Sequence, residues 1–199
     1  GSFSFYPTKQ ITTGEGGVVI TNNKKIFKKI KKLKAFGIDK DIKDRKLPGK
    51  YDVKMLGFNY RMTELHAAMG LLQLKKYKSF LKKRKQLAKR YILNFKNFSH
   101  LRHAIYNKES SFFIFPILTK SRDRLLKHLI KKKIGVSIHY AKSLPFMSYY
   151  KKKYKTSNNK FKNSINYADS NISLPVYPKL TIRNVDKISL EIKKFLSGV

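Results

Sequence analysis

One run of residues constrains this chain more than any other feature. From Thr63 to about Asn97, Leu65, Met69, Leu72, Leu74, Phe80, Leu81, Leu87, Tyr91 and Phe95 recur near helical spacing. Thr63 is placed as an N-cap, and the run reads as one long helix linking two regions. Before it, residues 3–8 are extended in character and Val18, Val19 and Ile20 form a short apolar run, so two short strands flank the turn-prone Thr12-Thr13-Gly14-Glu15-Gly16-Gly17. Residues 23–36 predict an amphipathic helix closed by Gly37. Residues 38–58 predict a loop broken by Pro48, Gly49 and Gly57, long enough to be suspected of function. After the long helix the patterns predict a strand over 112–118, a helix over 121–133, a strand over 135–140 and a closing helix over 184–196, with Val185, Ile188, Ile192 and Phe195 on one side. The order β-α-β-α in both halves indicates an α/β fold. No repeat or low-complexity linker separates the halves, so the domain boundary is expected near residue 100, giving domains 1–100 and 101–199.

Charge comes next. The 199 residues carry 46 Lys+Arg against 11 Asp+Glu, a formal balance of +35. With 41% hydrophobic and 13% aromatic residues the chain has the means to bury a core, which excludes an unstructured polycation. A basic surface makes nucleic acid or an anionic membrane the first partners to consider. The basic residues are 38 lysines and only 8 arginines, however, and recognition of phosphates and guanine edges favours arginine. Ile, Asn, Phe and Tyr are abundant as well, the profile of A/T-rich coding. The lysines at 24, 25, 28, 29, 31 and 32 read as the solvated face of a helix around Ile26, Phe27, Ile30 and Leu33. The absence of cysteine excludes disulfides, thiolate zinc sites and cysteine nucleophiles. No apolar run approaches membrane-spanning length, and no signal-peptide pattern opens the chain, so a soluble cytoplasmic protein is expected. The first residue is Gly1, which suits a processed or partial chain.

Lys9 is the only lysine among residues 1–23, set between an apolar strand and a glycine turn. Schiff-base chemistry needs a lysine whose amine can be neutral, which apolar neighbours favour. Taken alone, the position reads as an ordinary surface lysine in a lysine-rich chain. Its context is more specific. Ser4-Phe5-Tyr6-Pro7-Thr8-Lys9, followed by Thr12-Thr13-Gly14-Glu15-Gly16-Gly17, resembles the cofactor-lysine segment of the DegT/StrS-type sugar aminotransferases, pyridoxal-phosphate enzymes of fold type I. A second match is Leu56-Gly57-Phe58-Asn59-Tyr60-Arg61-Met62-Thr63-Glu64, continued by Ala67-Ala68-Met69-Gly70, similar to the family segment that opens a long helix. A weaker third lies at Ile138-His139-Tyr140 and Ser173-Leu174-Pro175-Val176-Tyr177-Pro178. The three occur in family order and span essentially the whole chain.

The resemblance implies that the chain is the C-terminal half of such an enzyme: part of the large domain, then the small α/β domain. It implies that Lys9 binds pyridoxal 5′-phosphate covalently and shuttles the proton, that Ser4 donates its hydroxyl to the cofactor phosphate, and that Asn59 reaches the phosphate of a neighbouring subunit's cofactor, hence a homodimer. His139 and Tyr140 would lie near the substrate. Read from the residues alone, Ser4 is a strand-end hydroxyl, Asn59 a turn-forming amide and His139 a half-buried imidazole. Gly14, Gly16 and Gly17 read as permissive turn residues rather than a phosphate cradle. No metal is implied. The implied reaction is transamination of a keto group on a nucleotide-linked sugar, in amino-sugar or surface-polysaccharide biosynthesis, with an amino acid such as glutamate as donor. A dehydratase branch of the family replaces the lysine with histidine, so Lys9 favours the aminotransferase. Family members are about twice as long, and their preceding half carries the Asp that pairs with the pyridine nitrogen. This chain alone is therefore expected to be inactive or nearly so. The competing reading is a non-catalytic basic domain that binds nucleic acid or another anionic surface.

Overall fold

The computed structural model describes residues 1–40 and 42–198, with the backbone alone at 158 and 159. Two compact units emerge, Gly1–Tyr77 and Lys78–Val199.

In the first unit β1 (Ser2–Ser4) and β2 (Gly17–Val19) form an antiparallel hairpin that pairs Phe3 with Val18 and Ser4 with Gly17. The helix α1 (Lys24–Leu33) starts where the Asn23 side chain accepts hydrogen bonds from the backbone N–H groups of Lys25 and Ile26, at 2.9 and 3.1 Å. Three backbone bonds fasten residues 58–60 to the end of this helix: Phe58 N–H to Leu33 O, Phe36 N–H to Phe58 O, and Tyr60 N–H to Lys34 O. Two glycines permit that contact. A Cβ on Gly37, at φ +74°, would overlap the Met55 carbonyl oxygen, and a Cβ on Gly57 would overlap the backbone of Gly37. The intervening loop holds a short 3-10 turn, Ile42–Asp44, and is closed by an Ile38–Val53 bridge. As expected, Thr63 caps the long helix α2 (Glu64–Phe95), its Oγ1 accepting from the His66 N–H at 3.3 Å. The division between the units falls within α2, between Tyr77 and Lys78.

The second unit owns the core. Its sheet is antiparallel throughout in the order β3 (Arg102–His103), β4 (Phe115–Leu118), β5 (Asn171–Leu174). On β4, Phe115 and Ile117 alternate inward with period two. They meet Leu87, Tyr91 and Phe95 from α2, Leu125 and Leu129 from α3 (Arg122–Lys131), and Val185 and Ile192 from α6 (Ile182–Ser197). The Tyr91 and Phe115 rings stack 4.9 Å apart. Burial pushes the Tyr91 phenol far above its ordinary pKa, and its O–H donates to the Pro175 carbonyl at 3.2 Å. This packing of Leu87–Phe95 is why the second half of the long helix belongs to the second unit.

Several sequence expectations are corrected. No strand forms over 135–140; Ser137 alone pairs, as an isolated bridge to Ser173. The reason is a contact distant in sequence: the His139 N–H is taken by the Asn171 side chain instead of a neighbouring strand. Nor does either half follow the order β-α-β-α, since the first runs ββαα and the second adds α4 (Ser148–Tyr154), α5 (Lys162–Ser170) and β5, which periodicity does not reveal. The mixed α/β character stands. Among the described residues, no helix is long and apolar enough to cross a membrane.

Candidate active site

Lys9 lies half-buried in the connection between β1 and β2. Its backbone N–H donates to the Tyr6 carbonyl at 2.9 Å, closing a reverse turn over Pro7 and Thr8, with proline at the position whose fixed φ suits it. Ser4 is held through the same residue, because its Oγ accepts from the Tyr6 N–H at 3.2 Å. Tyr6 thus fixes both ends of the Ser4–Lys9 segment. A hydroxyl that accepts through a lone pair keeps its O–H to donate, so this bond leaves Ser4 available to a phosphate oxygen.

Beyond Lys9 the chain turns back along β1. The Thr13 N–H donates to the Phe5 carbonyl at 3.0 Å, and the Phe5 N–H to the Gly16 carbonyl at 2.9 Å. Gly16 adopts φ +136°, and a Cβ there would lie 2.9 Å from both Met62 Cε and Thr13 Oγ1. The turn is then clamped to α2 by Gln73, whose Oε1 accepts from the Thr12 N–H at 3.0 Å while its Nε2 donates to the Thr12 carbonyl at 2.8 Å. Gln73 is absent from the sequence reading. Its signal is a lone amide among Leu71, Leu72 and Leu74.

Asn59 sits on the strip fastened to the end of α1, bridged through its backbone to Ala35 and flanked by the stacked rings of Phe58 and Tyr60, 5.0 Å apart. Its side chain is exposed and makes no hydrogen bond among the described residues. Lys9, Ser4 and Asn59 all belong to the first unit; His139 and Tyr140 belong to the second.

In the second unit, the His139 imidazole is locked in place. The backbone N–H donates to Asn171 Oδ1 at 2.9 Å, Nδ1 shares a 2.9 Å hydrogen bond with Ser173 Oγ, and the ring meets Tyr140 edge-on at 5.5 Å. Tyr140 itself is exposed. Asn171 is fully buried and donates to the Tyr167 and Ala168 carbonyls at 2.9 and 3.3 Å, so one amide ties α5 to the His139 backbone. It too was missed, since a polar residue opening an apolar strand gives no sign of its partners.

Lys9 brings an amine, Ser4 a hydroxyl and Asn59 an amide, donor types whose chemistry suits an aldehyde and a phosphate. The class of the scaffold follows from structural likeness. The Helicobacter pylori aminotransferase PseC, involved in the biosynthesis of pseudoaminic acid, matches with a TM-score of 0.90 at 29% identity, over 100% of this chain and 53% of its own. This is an α/β fold of the aminotransferase type. The sequence places it further: residues 1–193 match the DegT/DnrJ/EryC1/StrS aminotransferase family, and the chain belongs to that family. The UDP-4-amino-4,6-dideoxy-N-acetyl-beta-L-altrosamine transaminase of Campylobacter jejuni is 33% identical over 189 residues, 92% of this chain and 48% of that protein. The Bacillus subtilis spore coat polysaccharide biosynthesis protein SpsC is 29% identical over 99% of this chain and 54% of its own length. The chain spans about half the length of the curated relatives it matches.

Proposed function

We propose that this chain is the lysine-bearing portion of a pyridoxal-phosphate-dependent aminotransferase that places an amino group on the keto carbon of a nucleotide-linked sugar, in amino-sugar or surface-polysaccharide biosynthesis. The observation that carries the reading is the anchoring of Ser4 and Lys9 through Tyr6, in the sequence context of the family. The large apolar side chains that the first unit leaves exposed, among them Phe3, Val18, Ile26 and Phe27, support its being part of a larger assembly. A homodimer working in the cytoplasm, with an amino acid such as glutamate as donor, belongs to the same reading.

Lys9 would hold the cofactor through its amine and Ser4 would hold its phosphate, with Asn59 reaching the phosphate in a neighbouring subunit. When bound, pyridoxal phosphate supplies an electron sink that stabilises negative charge on the carbon beside the substrate nitrogen. The Lys9 amine would serve as the base that takes up the proton from the substrate carbon on Nζ and as the acid that gives it back. His139, held by Asn171 and Ser173, and Tyr140 would lie near the substrate.

Incubating the chain with pyridoxal phosphate, reducing with borohydride and mapping the modified residue by mass spectrometry tests this reading. Selective modification of Lys9 among the 38 lysines, abolished in Lys9→Ala, is the expected result. Scattered modification of a folded chain means either that the cofactor site needs the preceding half of the enzyme or that the family's chemistry is gone; steeply salt-dependent nucleic-acid binding indifferent to Lys9→Ala then favours the basic-binder reading.

A further inference from the structure

In the second unit, the face of α6 that carries Asn184, Lys187, Ile188 and Glu191 at helical spacing borders an open cleft of about 430 Å³, within the usual range for small-molecule sites. The end of α3 and residues 175–180 supply its other two walls. All three walls are tied. Glu191 joins α6 to α3 through His128 Nε2 at 2.6 Å, the Pro175 carbonyl is held by the Tyr91 hydroxyl, and the Tyr177 carbonyl accepts from the Leu180 N–H at 3.0 Å. Such bracing leaves little to reorganise when a ligand enters.

The floor is apolar and the rim cationic. Buried Leu180 and Ile188, with Ile134 and Pro175, line the floor. At the rim Glu191 is already paired, with His128 and, at 3.3 Å, with Lys132. The amines of Lys133 and Lys187 and the amide of Asn184 make no hydrogen bond or ion pair among the described residues. Lysines are common in this chain, so the backbone beneath Lys133 says more than its charge. The Lys133 N–H donates to the Ile130 carbonyl and the Ile134 N–H to the Leu129 carbonyl, both at 2.9 Å, the paired bonds that end a helix on a left-handed residue. That residue is Lys133, at φ +57°, where glycine is the usual occupant. A long side chain kept in a strained backbone position points to a use for its amine.

We propose that this cleft binds a small monocarboxylic acid with an apolar body. The carboxylate pairs with the Lys133 and Lys187 amines and accepts from the Asn184 amide, while the hydrocarbon or aromatic body covers the apolar floor. An inorganic anion would leave that floor wet, and a neutral apolar molecule would leave both amines unpaired. The site goes beyond the function proposed above, and its lining includes none of Lys9, Ser4, Asn59, His139 and Tyr140.

Heteronuclear NMR titration of the chain with phenylpropionate, phenylpropanol and acetate tests it. Phenylpropionate is expected to bind saturably and to move the amides of Gly135, Asn184 and Ile188. It should bind about tenfold or more tightly than the alcohol, which has the body without the charge, and than acetate, which has the charge without the body. Lys133→Gly removes the amine and relaxes the turn, so binding is expected to weaken about fivefold or more while the thermal midpoint holds or rises. Lys187→Gln should show the same loss from the middle of α6 without touching the turn. Lys127→Gln/Lys194→Gln takes one charge from each of α3 and α6 outside the lining, and is expected to change binding less than about twofold. Absence of saturable binding, shifts confined to other amides, the alcohol or acetate binding as tightly, or undiminished binding in both Lys133→Gly and Lys187→Gln each overturns the proposal. Lys9→Ala is expected to leave this binding intact, so failure of the lysine-trapping experiment alone counts against the aminotransferase reading and not against the cleft.

Discussion

Arg90 of α2 grips Asp186 of α6 with two parallel hydrogen bonds, Nε to Oδ1 at 2.6 Å and Nη2 to Oδ2 at 2.9 Å. Asn94, one turn further along α2, donates to the same carboxylate at 2.8 Å and to Ser189 Oγ at 3.1 Å. This polar seam fixes how the second half of α2 rests on α6, beside the apolar contacts of Tyr91 and Ile192. The hydrogen bond from Arg90, followed by that from Asn94, holds the Asp186 carboxyl below the usual Asp range.

Because both side chains are more than a third exposed, water screens the pair. Arg90→Ala is therefore expected to lower stability only slightly, far less than breaking a buried pair would. The sign of the pH effect follows from the depressed carboxyl. The stabilisation is present above the unfolded Asp value and fades as pH falls through the folded one, so wild type and Asp186→Asn should converge in stability in acid. Urea denaturation at neutral and at acid pH measures both effects.

Glu191 provides a second, separate seam. It accepts from His128 Nε2 at 2.6 Å and pairs with Lys132 at 3.3 Å, joining α3 to α6, and the His128 hydrogen bond is the main cause of its lowered carboxyl pKa. Glu191→Gln should lower stability by about 1 kcal/mol at neutral pH and have a shrinking effect below the Glu range. A thermal melt of the variant that matches wild type at pH 7 would count against this role.

Asn171 is a larger liability. Replacing it with Ala takes away the one acceptor of the His139 N–H among the described residues, while the Tyr167 carbonyl keeps the backbone N–H of residue 171 and the Ala168 carbonyl keeps Arg122 Nη1. About 1–3 kcal/mol is expected to be lost, on the scale of one orphaned buried group. Hydrogen exchange should show the His139 amide among the protons whose protection falls most.

Gln73 offers a readout at the candidate site rather than in overall stability. Gln73→Glu keeps the acceptor for the Thr12 N–H and loses the donor to the Thr12 carbonyl, whereas Gln73→Ala loses both. Borohydride trapping at Lys9 should fall in the order wild type, Gln73→Glu, Gln73→Ala, because the turn that follows Lys9 loosens in that order. Equal trapping in all three would show that the clamp does not orient the lysine.

How much of this was legible in the sequence varies with the range of the interaction. Thr63 as a cap, the helical stripe of α2 and the hairpin around Gly14–Gly17 depend on neighbours within a turn or two, and all are present. Lys9, Ser4 and Asn59 were found through the words they sit in, not through their surroundings. The strand expected over 135–140 is absent because the partner of His139 lies at Asn171, and β5 escaped notice because its burial comes from elements distant in sequence. A boundary near residue 100 follows from where the long helix ends; the units instead divide inside that helix, since Leu87, Tyr91 and Phe95 are buried with Phe115 and Ile172. Gln73 and Asn171 each act across a long stretch of sequence, and amides carry no periodicity.

The back-to-back meeting of Gly37 and Gly57 gives the intervening segment a pinched neck. Closing a loop costs chain entropy that rises only logarithmically with its length, about 0.6 kcal/mol per doubling. Residues between the two glycines can therefore be lengthened, shortened or rewritten with little effect on the strip that carries Asn59, while neither glycine can take on a side chain. Lys9, Ser4 and Asn59 lie outside that interval. Changes of length or sequence inside the interval therefore leave the backbone contacts that hold Lys9, Ser4 and Asn59 in place.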